Sequence, residues 1–265
     1  MPTTYTHYRF GRDVLKQLPD NIRETIVPYR DLYDIGLHGP DLLFYYKALK
    51  KNAVNQTGVA MHDKPAREFF RSAKLAMDQT SEPGPCLAYL FGFICHFALD
   101  SSCHPYIEEK IRQTGITHSE IEAELDRALM VMDGHNPITW HPTGHFKATR
   151  PNAQVIARFF PTIREKQIYR SIRFIRWYCN QLVAPQPWKR RLIYRLLKLG
   201  RSYDSVHGMI INYKPNPACA TICTTLENLY LTAIPLAVEL IMNYQAYLLG
   251  DQKLDARFGH TFGEF

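Results

Sequence analysis

The 265-residue chain lacks any window of about twenty residues free of polar groups, the length a membrane-crossing helix needs. Its most apolar tract, 228–249, is interrupted by Glu239, Asn243 and Gln245, and is read as a buried helix rather than a span. The opening residues, MPTTYTHYRFGRDVLKQLP, lack an apolar run followed by a small-residue cleavage site. No secretory leader is read there, and the expected location is the cytoplasm. Cysteine is sparse: Cys86, Cys95, Cys103, Cys179, Cys219 and Cys223. A chain of this size can bury enough core to need no disulfide, so reduced thiols are expected. The pair Cys219-x3-Cys223 has no second pair nearby, which argues against a structural zinc knuckle. Internal repeats, low-complexity tracts and Gly/Ser linkers are missing, and so is nearly all of the period-two alternation that marks half-buried strands. Acid is scarce in one region: residues 150–201 hold thirteen Lys/Arg and one carboxylate, Glu165. That segment is +12 within a chain of net charge +7, which leaves the remainder at −5.

What is present is helical patterning in a chain of ordinary globular composition, 46% hydrophobic and 22% charged. Amphipathic spacing covers 10–18 and stops at Pro19. Pro40 stands where a first helical turn over 40–51 would begin, and Pro65 opens a second such segment over 65–79. Residues 85–100, PCLAYLFGFICHFALD, read as a nearly all-apolar central helix that ends near Pro105. In 117–134, Thr117 with Glu120 three residues later makes a capping box, and Gly134 closes the segment. Residues 135–151 are a loop with three histidines, and 152–182, 187–201 and 219–248 have helical period. The expectation is an all-α protein, with residues 1–265 forming a single compact domain of about eight to ten helices.

Within the apolar centre stands GFICHFALDSSCHP, residues 92–105. His96 and Asp100 are one helical turn apart and share a face, so together they can grip a cation. His104 is rotated by about 80° from His96 at 3.6 residues per turn, which aims it at a neighbouring position. His118 and Glu122 repeat the four-residue spacing on the next helix. An unpaired charge among FGFICHFAL would cost several kcal/mol, and a metal removes that cost. Histidine nitrogen with carboxylate oxygen is a donor set that zinc favours, and paired sites on adjacent helices are how bundles build metal centres.

The sequence HFALDSSCHP followed by HSEIE resembles the zinc-dependent phospholipase C family, whose all-α fold is shared with the S1/P1-type nucleases. Three upstream positions extend the resemblance in matching order: His7 in THYRFG, Asp41 in HGPD and His62 in GVAMHD. The resemblance spans roughly residues 5–125. It implies an all-α phospholipase C/P1 nuclease-type fold and a centre of two or three Zn2+ ions. One ion would take His62, His96 and Asp100 with Asp41 adjoining. A second would take His104, His118 and Glu122, and a third His7 with Asp100 bridging. Asp41 holds the position that the family implicates as ligand or general base. In secreted members the processed first residue completes the third zinc; here the chain starts Met1-Pro2.

A competing motif, His62-Asp63, is the adjacent pair of HD-type phosphohydrolases and would draw on His38. It leaves His96, His104, His118 and Glu122 without a role. His135, His141 and His145 are loop histidines that could border the cleft. In the basic half, YRSIRFIRWY and PWKRRLIYRLLKLGRSYD interleave cations with aromatic and aliphatic residues over 169–204, a pattern of helices that lie on anionic membranes or hold nucleic acid. The sequence therefore points to a zinc-dependent phosphoester hydrolase acting on a phospholipid headgroup or a nucleotide, peripheral to an anionic membrane and with no obligate protein partner. The alternatives are a nuclease or nucleotidase of the same fold, and a non-catalytic, metal-stabilised helical protein that binds anionic membranes.

Overall fold

The computed structural model describes residues 4–200 and 202–263. Among them there is no strand. The chain runs through α1 (Thr4–Gln17), α2 (Asp20–Ile26), α3 (Arg30–Gly36), a 3-10 segment Gly39–Tyr45, α4 (Ala53–His62), α5 (Ala66–Met77) and α6 (Pro83–Thr114). It continues through α7 (His118–Met132), α8 (Arg150–Ala157), α9 (Glu165–Leu182), α10 (Pro187–Leu199), α11 (Tyr203–Val206) and α12 (Ala220–Leu249). The expected all-α class is what the structure has, cut into more and shorter pieces than the periodicity indicated.

Helix α6 is the axis. It is apolar on every side from Cys86 to Leu99, so it can be satisfied only by enclosure. Close approach of α3 fixes one side: a Cβ at Gly92 would lie 2.1 Å from Tyr33 O, and one at Gly36 2.3 Å from Tyr89 O. Glycine at both positions lets the backbones touch. Helices α1 and α12 pack on other faces of α6, and a contiguous apolar core joins residues from Tyr5 to Phe262. All six cysteines are free and buried in it or beside it.

Four local expectations are corrected. Helix α6 does not end near Pro105; it continues to Thr114 and stops at Gly115, whose φ of 72° is a left-handed cap. Pro105 cannot donate to the carbonyl of Ser101, and Arg257 supplies the missing donor: its Nη2 lies 2.9 Å from Ser101 O and 3.1 Å from Ser101 Oγ. The segment opened by Pro40 is a 3-10 helix rather than an α-helix to residue 51, because it starts from Gly39 at φ 44° and leaves through extended Tyr46. The stretch 152–182 is two helices. Between them Pro161 offers no N–H, and the break turns Phe159, Phe160 and Ile163 into the core. In α7 the cap is half of a box: Thr117 Oγ1 accepts from Glu120 N at 3.3 Å, while the Glu120 carboxylate is engaged by Asn216 Nδ2 at 2.9 Å.

Two helices, Pro83–Thr114 and Pro217–Leu249, are long and apolar enough to cross a membrane by length and composition alone. The most apolar window of the first is 89% buried inside the fold; that of the second is 39% buried. The expectation of a buried 228–249 therefore holds for one face only. Tyr230, Ile234, Leu240 and Tyr244 face the core, while Leu231, Met242 and Leu249 are exposed.

Candidate metal centre

Five elements deliver the eight residues singled out above to one place: α1 brings His7, the 3-10 segment Asp41, α4 His62, α6 His96, Asp100 and His104, and α7 His118 and Glu122. Their donor atoms form three groups, His7–His96–Asp100, Asp41–His62–His96 and His104–His118–Glu122, each with its atoms within 4.8 Å of one another. Asp100 lies between groups: its Oδ1 is 3.2 Å from His7 Nε2 and 3.7 Å from His104 Nε2, and its Oδ2 is 3.1 Å from His96 Nε2. Asp41 Oδ1 is 3.0 Å from His62 Nε2, and Glu122 Oε1 is 3.1 Å from His118 Nε2 and 3.6 Å from His104 Nε2. The arrangement differs from the expected one in a detail. Asp41 stands inside a group with His62 and His96, and His96 rather than Asp100 is the residue common to two triads.

The chemistry of these donors fits a cation. His62 Nδ1 donates to Gly58 O at 2.8 Å, His104 Nδ1 to Phe262 O at 3.0 Å, and His118 Nδ1 to Glu108 Oε1 at 3.1 Å. With Nδ1 engaged in this way, each ring turns its Nε2 inward, the orientation that a metal ligand needs. The carboxylates that these nitrogens meet raise His62 and His118 against burial, so a proton there holds the place that a cation would take. His96 Nδ1 and Nε2, His118 Nε2 and Asp41 Oδ1 are buried without a hydrogen-bond partner. No Lys or Arg pairs with Asp41 or Asp100 among the described residues. Charging every imidazole is a poor remedy, since His7 stacks on His96 at 4.6 Å and His104 meets His118 at 5.0 Å. Divalent cations satisfy both kinds of donor at once, and zinc suits a nitrogen–carboxylate set without thiolate.

Electrostatics keeps the acids charged. Burial works against ionisation of Asp100, but His104, His96 and His7 around it hold its carboxyl well below the usual range. Asp41 is lowered for the same reason by His62 and His96, against burial. His96, wholly buried, is lowered by desolvation, which keeps its ring neutral and able to donate a lone pair. Close packing fixes its ring: a Cβ at Gly39 would stand 2.2 Å from His96 Cδ2, and Gly39 has φ 44°, so no other residue fits there without displacing it.

Residues not singled out in the sequence support the centre. Glu108 orients His118; it lies on the part of α6 beyond Pro105, where a helix was not expected. The carbonyl of Phe262 orients His104, and a backbone atom carries no sequence signal. Asp126 caps α1 ahead of His7, accepting from Tyr5 N at 3.3 Å, Thr6 N at 2.8 Å and Thr6 Oγ1 at 2.7 Å. It extends the His118–Glu122 spacing by one more turn, and that was its available signal. Met1 and Pro2 lie outside the described residues. Asp63 of the competing motif is exposed and joins none of the groups, which removes the HD-type reading. Of the loop histidines, His135 stacks on Trp140 and His141 bonds Asn180 Oδ1 at 3.0 Å. His145 is buried with its Nε2 2.7 Å from His38 Nε2. None of these is in a triad.

The all-helical chain thus gathers, around one central helix, three groups of histidines and carboxylates that could hold a metal ion. Residues 6–172 match the family described as zinc dependent phospholipase C, and the chain belongs to that family. Neither the curated proteins nor the solved structures contain a significant match to it.

Proposed function

We propose that the protein is a zinc-dependent phosphoric ester hydrolase of the phospholipase C type, acting on a phosphodiester. The observation that carries this reading is the convergence of His7, Asp41, His62, His96, Asp100, His104, His118 and Glu122 into three contiguous triads, with the Nε2 atoms of His62, His104 and His118 turned inward. His104, His118 and Glu122 would hold one Zn2+, Asp41, His62 and His96 a second, and His7 with Asp100 a third. Bound zinc would supply Lewis acidity, polarising a phosphoryl oxygen and making water acidic enough to ionise near neutral pH. The chain's own residues do the rest. Asp41, ionised and held by the 3-10 segment, takes up a proton on its carboxylate as general base. Asp100 keeps its negative charge between the triads and balances the cations. Helix α6, enclosed by core, holds His96, Asp100 and His104 in register.

A cavity of about 70 Å³ adjoins the centre through Glu122. Its walls mix Trp140, Leu182, Val183 and Ile211 with the polar Ser119, Asp126 and Arg190. We favour a phospholipid over the nuclease or nucleotidase alternative, on the family match over residues 6–172. We take 1–265 as one domain, on the contiguity of its core, and place it in a reducing compartment such as the cytoplasm, where six free thiols persist. The test is Asp41→Asn assayed against phospholipids, nucleotides and single-stranded nucleic acid. The expected result is retained zinc in at least the His104–His118–Glu122 triad, with phosphodiester hydrolysis down by about 10²–10⁴-fold. Unchanged hydrolysis would remove Asp41 as base, and wild-type protein purified without chelator but free of zinc would overturn the whole reading.

A further inference from the structure

Helix α10 is built inside out. Of its thirteen residues only Arg190 is buried. Trp188, Leu192, Leu196 and Leu199 are exposed, at 66%, 49%, 59% and 84%. On a helical projection these four fall within an arc of about 80°. Arg191, Arg195 and Lys198 flank it on one side and Lys189 on the other, and the helix has no acid. A globular helix turns such a stripe to the core; here the stripe faces solvent, and cations border it. The neighbouring α9 differs. Its apolar residues Ile168, Ile172 and Ile175 are buried, and its outer face carries Lys166, Arg170, Arg173 and the 53% exposed Trp177.

We propose that α10 is an interfacial anchor that seats the protein on an anionic lipid bilayer, with the Trp188–Leu192–Leu196–Leu199 stripe among the acyl chains and the flanking arginines and lysines at the headgroups. Charge decides the occupant: an apolar stripe edged by cations only, beside a basic α9, complements a surface that is apolar beneath and anionic above. A second copy would bring the same cations against themselves. The inner side of the helix ties the anchor to the centre, because buried Arg190 lines the same cavity as Glu122. A bilayer held by the stripe would therefore lie across α10 from the cavity that Arg190 and Glu122 line. This inference goes beyond the proposed hydrolysis and can fail independently of it.

The experiment is co-sedimentation of the full chain with phosphatidylcholine vesicles, with and without phosphatidylglycerol. It is run on wild type, on Leu192→Gln/Leu196→Gln/Leu199→Gln and on Arg191→Gln/Arg195→Gln/Lys198→Gln, with hydrolysis of soluble bis(p-nitrophenyl) phosphate measured in parallel. Wild type is expected to bind the anionic vesicles preferentially and to be released by salt. The cation variant should bind on the order of a hundredfold more weakly, and the leucine variant should lose binding at any salt. Both should keep their helical circular dichroism and their soluble-substrate activity. Blue-shifted tryptophan emission on vesicles should disappear in Trp188→Phe. Equal binding with and without phosphatidylglycerol, or a leucine variant that binds like wild type, would overturn the proposal. So would self-association of wild type that the leucine substitutions abolish.

Discussion

At the scale of single residues, the histidines divide by what lies behind each ring. His62, His104 and His118 each spend Nδ1 on an acceptor outside the centre and turn Nε2 inward. His38 and His145 spend Nε2 on each other at 2.7 Å and lie in the wall behind His7, with His145 stacked on Tyr8 at 4.3 Å. Burial holds both rings neutral, and one then donates to the other. Burial pushes His145 down to about 3 from 6.5, with Arg30 and Lys147 adding to the effect. Because the folded value is depressed, protonation favours the unfolded chain. The pair's stabilisation is complete above about pH 6.5 and is lost as pH falls towards about 3. His145→Gln keeps a polar contact without this titration. The stability gap between wild type and His145→Gln should therefore narrow by about 2 kcal/mol between neutral pH and pH 5, read from urea denaturation. A gap independent of pH would show that His145 is not held neutral by its burial.

At the scale of elements, the helix that carries three candidate ligands has a proline in its middle, and a side chain from the other end of the chain repairs it. Arg257→Met would leave the Ser101 carbonyl without its donor one turn before Pro105. The expected cost is about 1–3 kcal/mol, with faster amide exchange in 101–108 than elsewhere in α6. Exchange rates unchanged in that turn would mean that Pro105 needs no repair. This element also shows what the sequence could and could not say. The ligand spacing was legible because a helix converts four-residue intervals into a shared face, and His96–Asp100 and His118–Glu122 each lie within one helix. His7, Asp41 and His62 were legible only through the family resemblance, since nothing local links residue 7 to residue 100. Glu108 and Arg257 stayed hidden together: a proline that normally ends a helix concealed both the continuation that places Glu108 and the donor that permits it. The break at 158–164 was hidden for the converse reason. Its apolar residues keep helical spacing across Pro161, so the periodicity masked the stop that this proline signals, and Phe159, Phe160 and Ile163 turn into the core there.

At the scale of the molecule, the candidate ligands all come from residues 7–122, yet elements from the far end close over them. Phe262 holds His104, Arg257 holds the α6 turn before it, and Asn216 holds the N-terminal turn of α7. Metal occupancy is therefore coupled to the packing of the whole chain rather than to one helix pair. Without a cation, His7, His62 and His118, raised by the carboxylates at 3.0–3.2 Å from them, must carry the balancing charge beside Asp41, Asp100 and Glu122, and five elements share that cluster of buried charge. With cations bound to the folded state and not to the unfolded chain, their binding free energy becomes stability. At a free zinc concentration about a thousandfold above the dissociation constant, the gain is about 4 kcal/mol, which corresponds to a rise in Tm of about 10 °C for a chain of this size. Chelation should lower the melting temperature by that order, zinc should restore it, and magnesium should not, since nitrogen donors suit zinc and not magnesium. The same loss should appear as faster exchange around Phe262 and Asn216, distant in sequence from every candidate ligand. A melting temperature indifferent to chelator, in protein shown beforehand to contain zinc, would mean that the centre is preformed without its ions and that the core alone holds the eight residues in place.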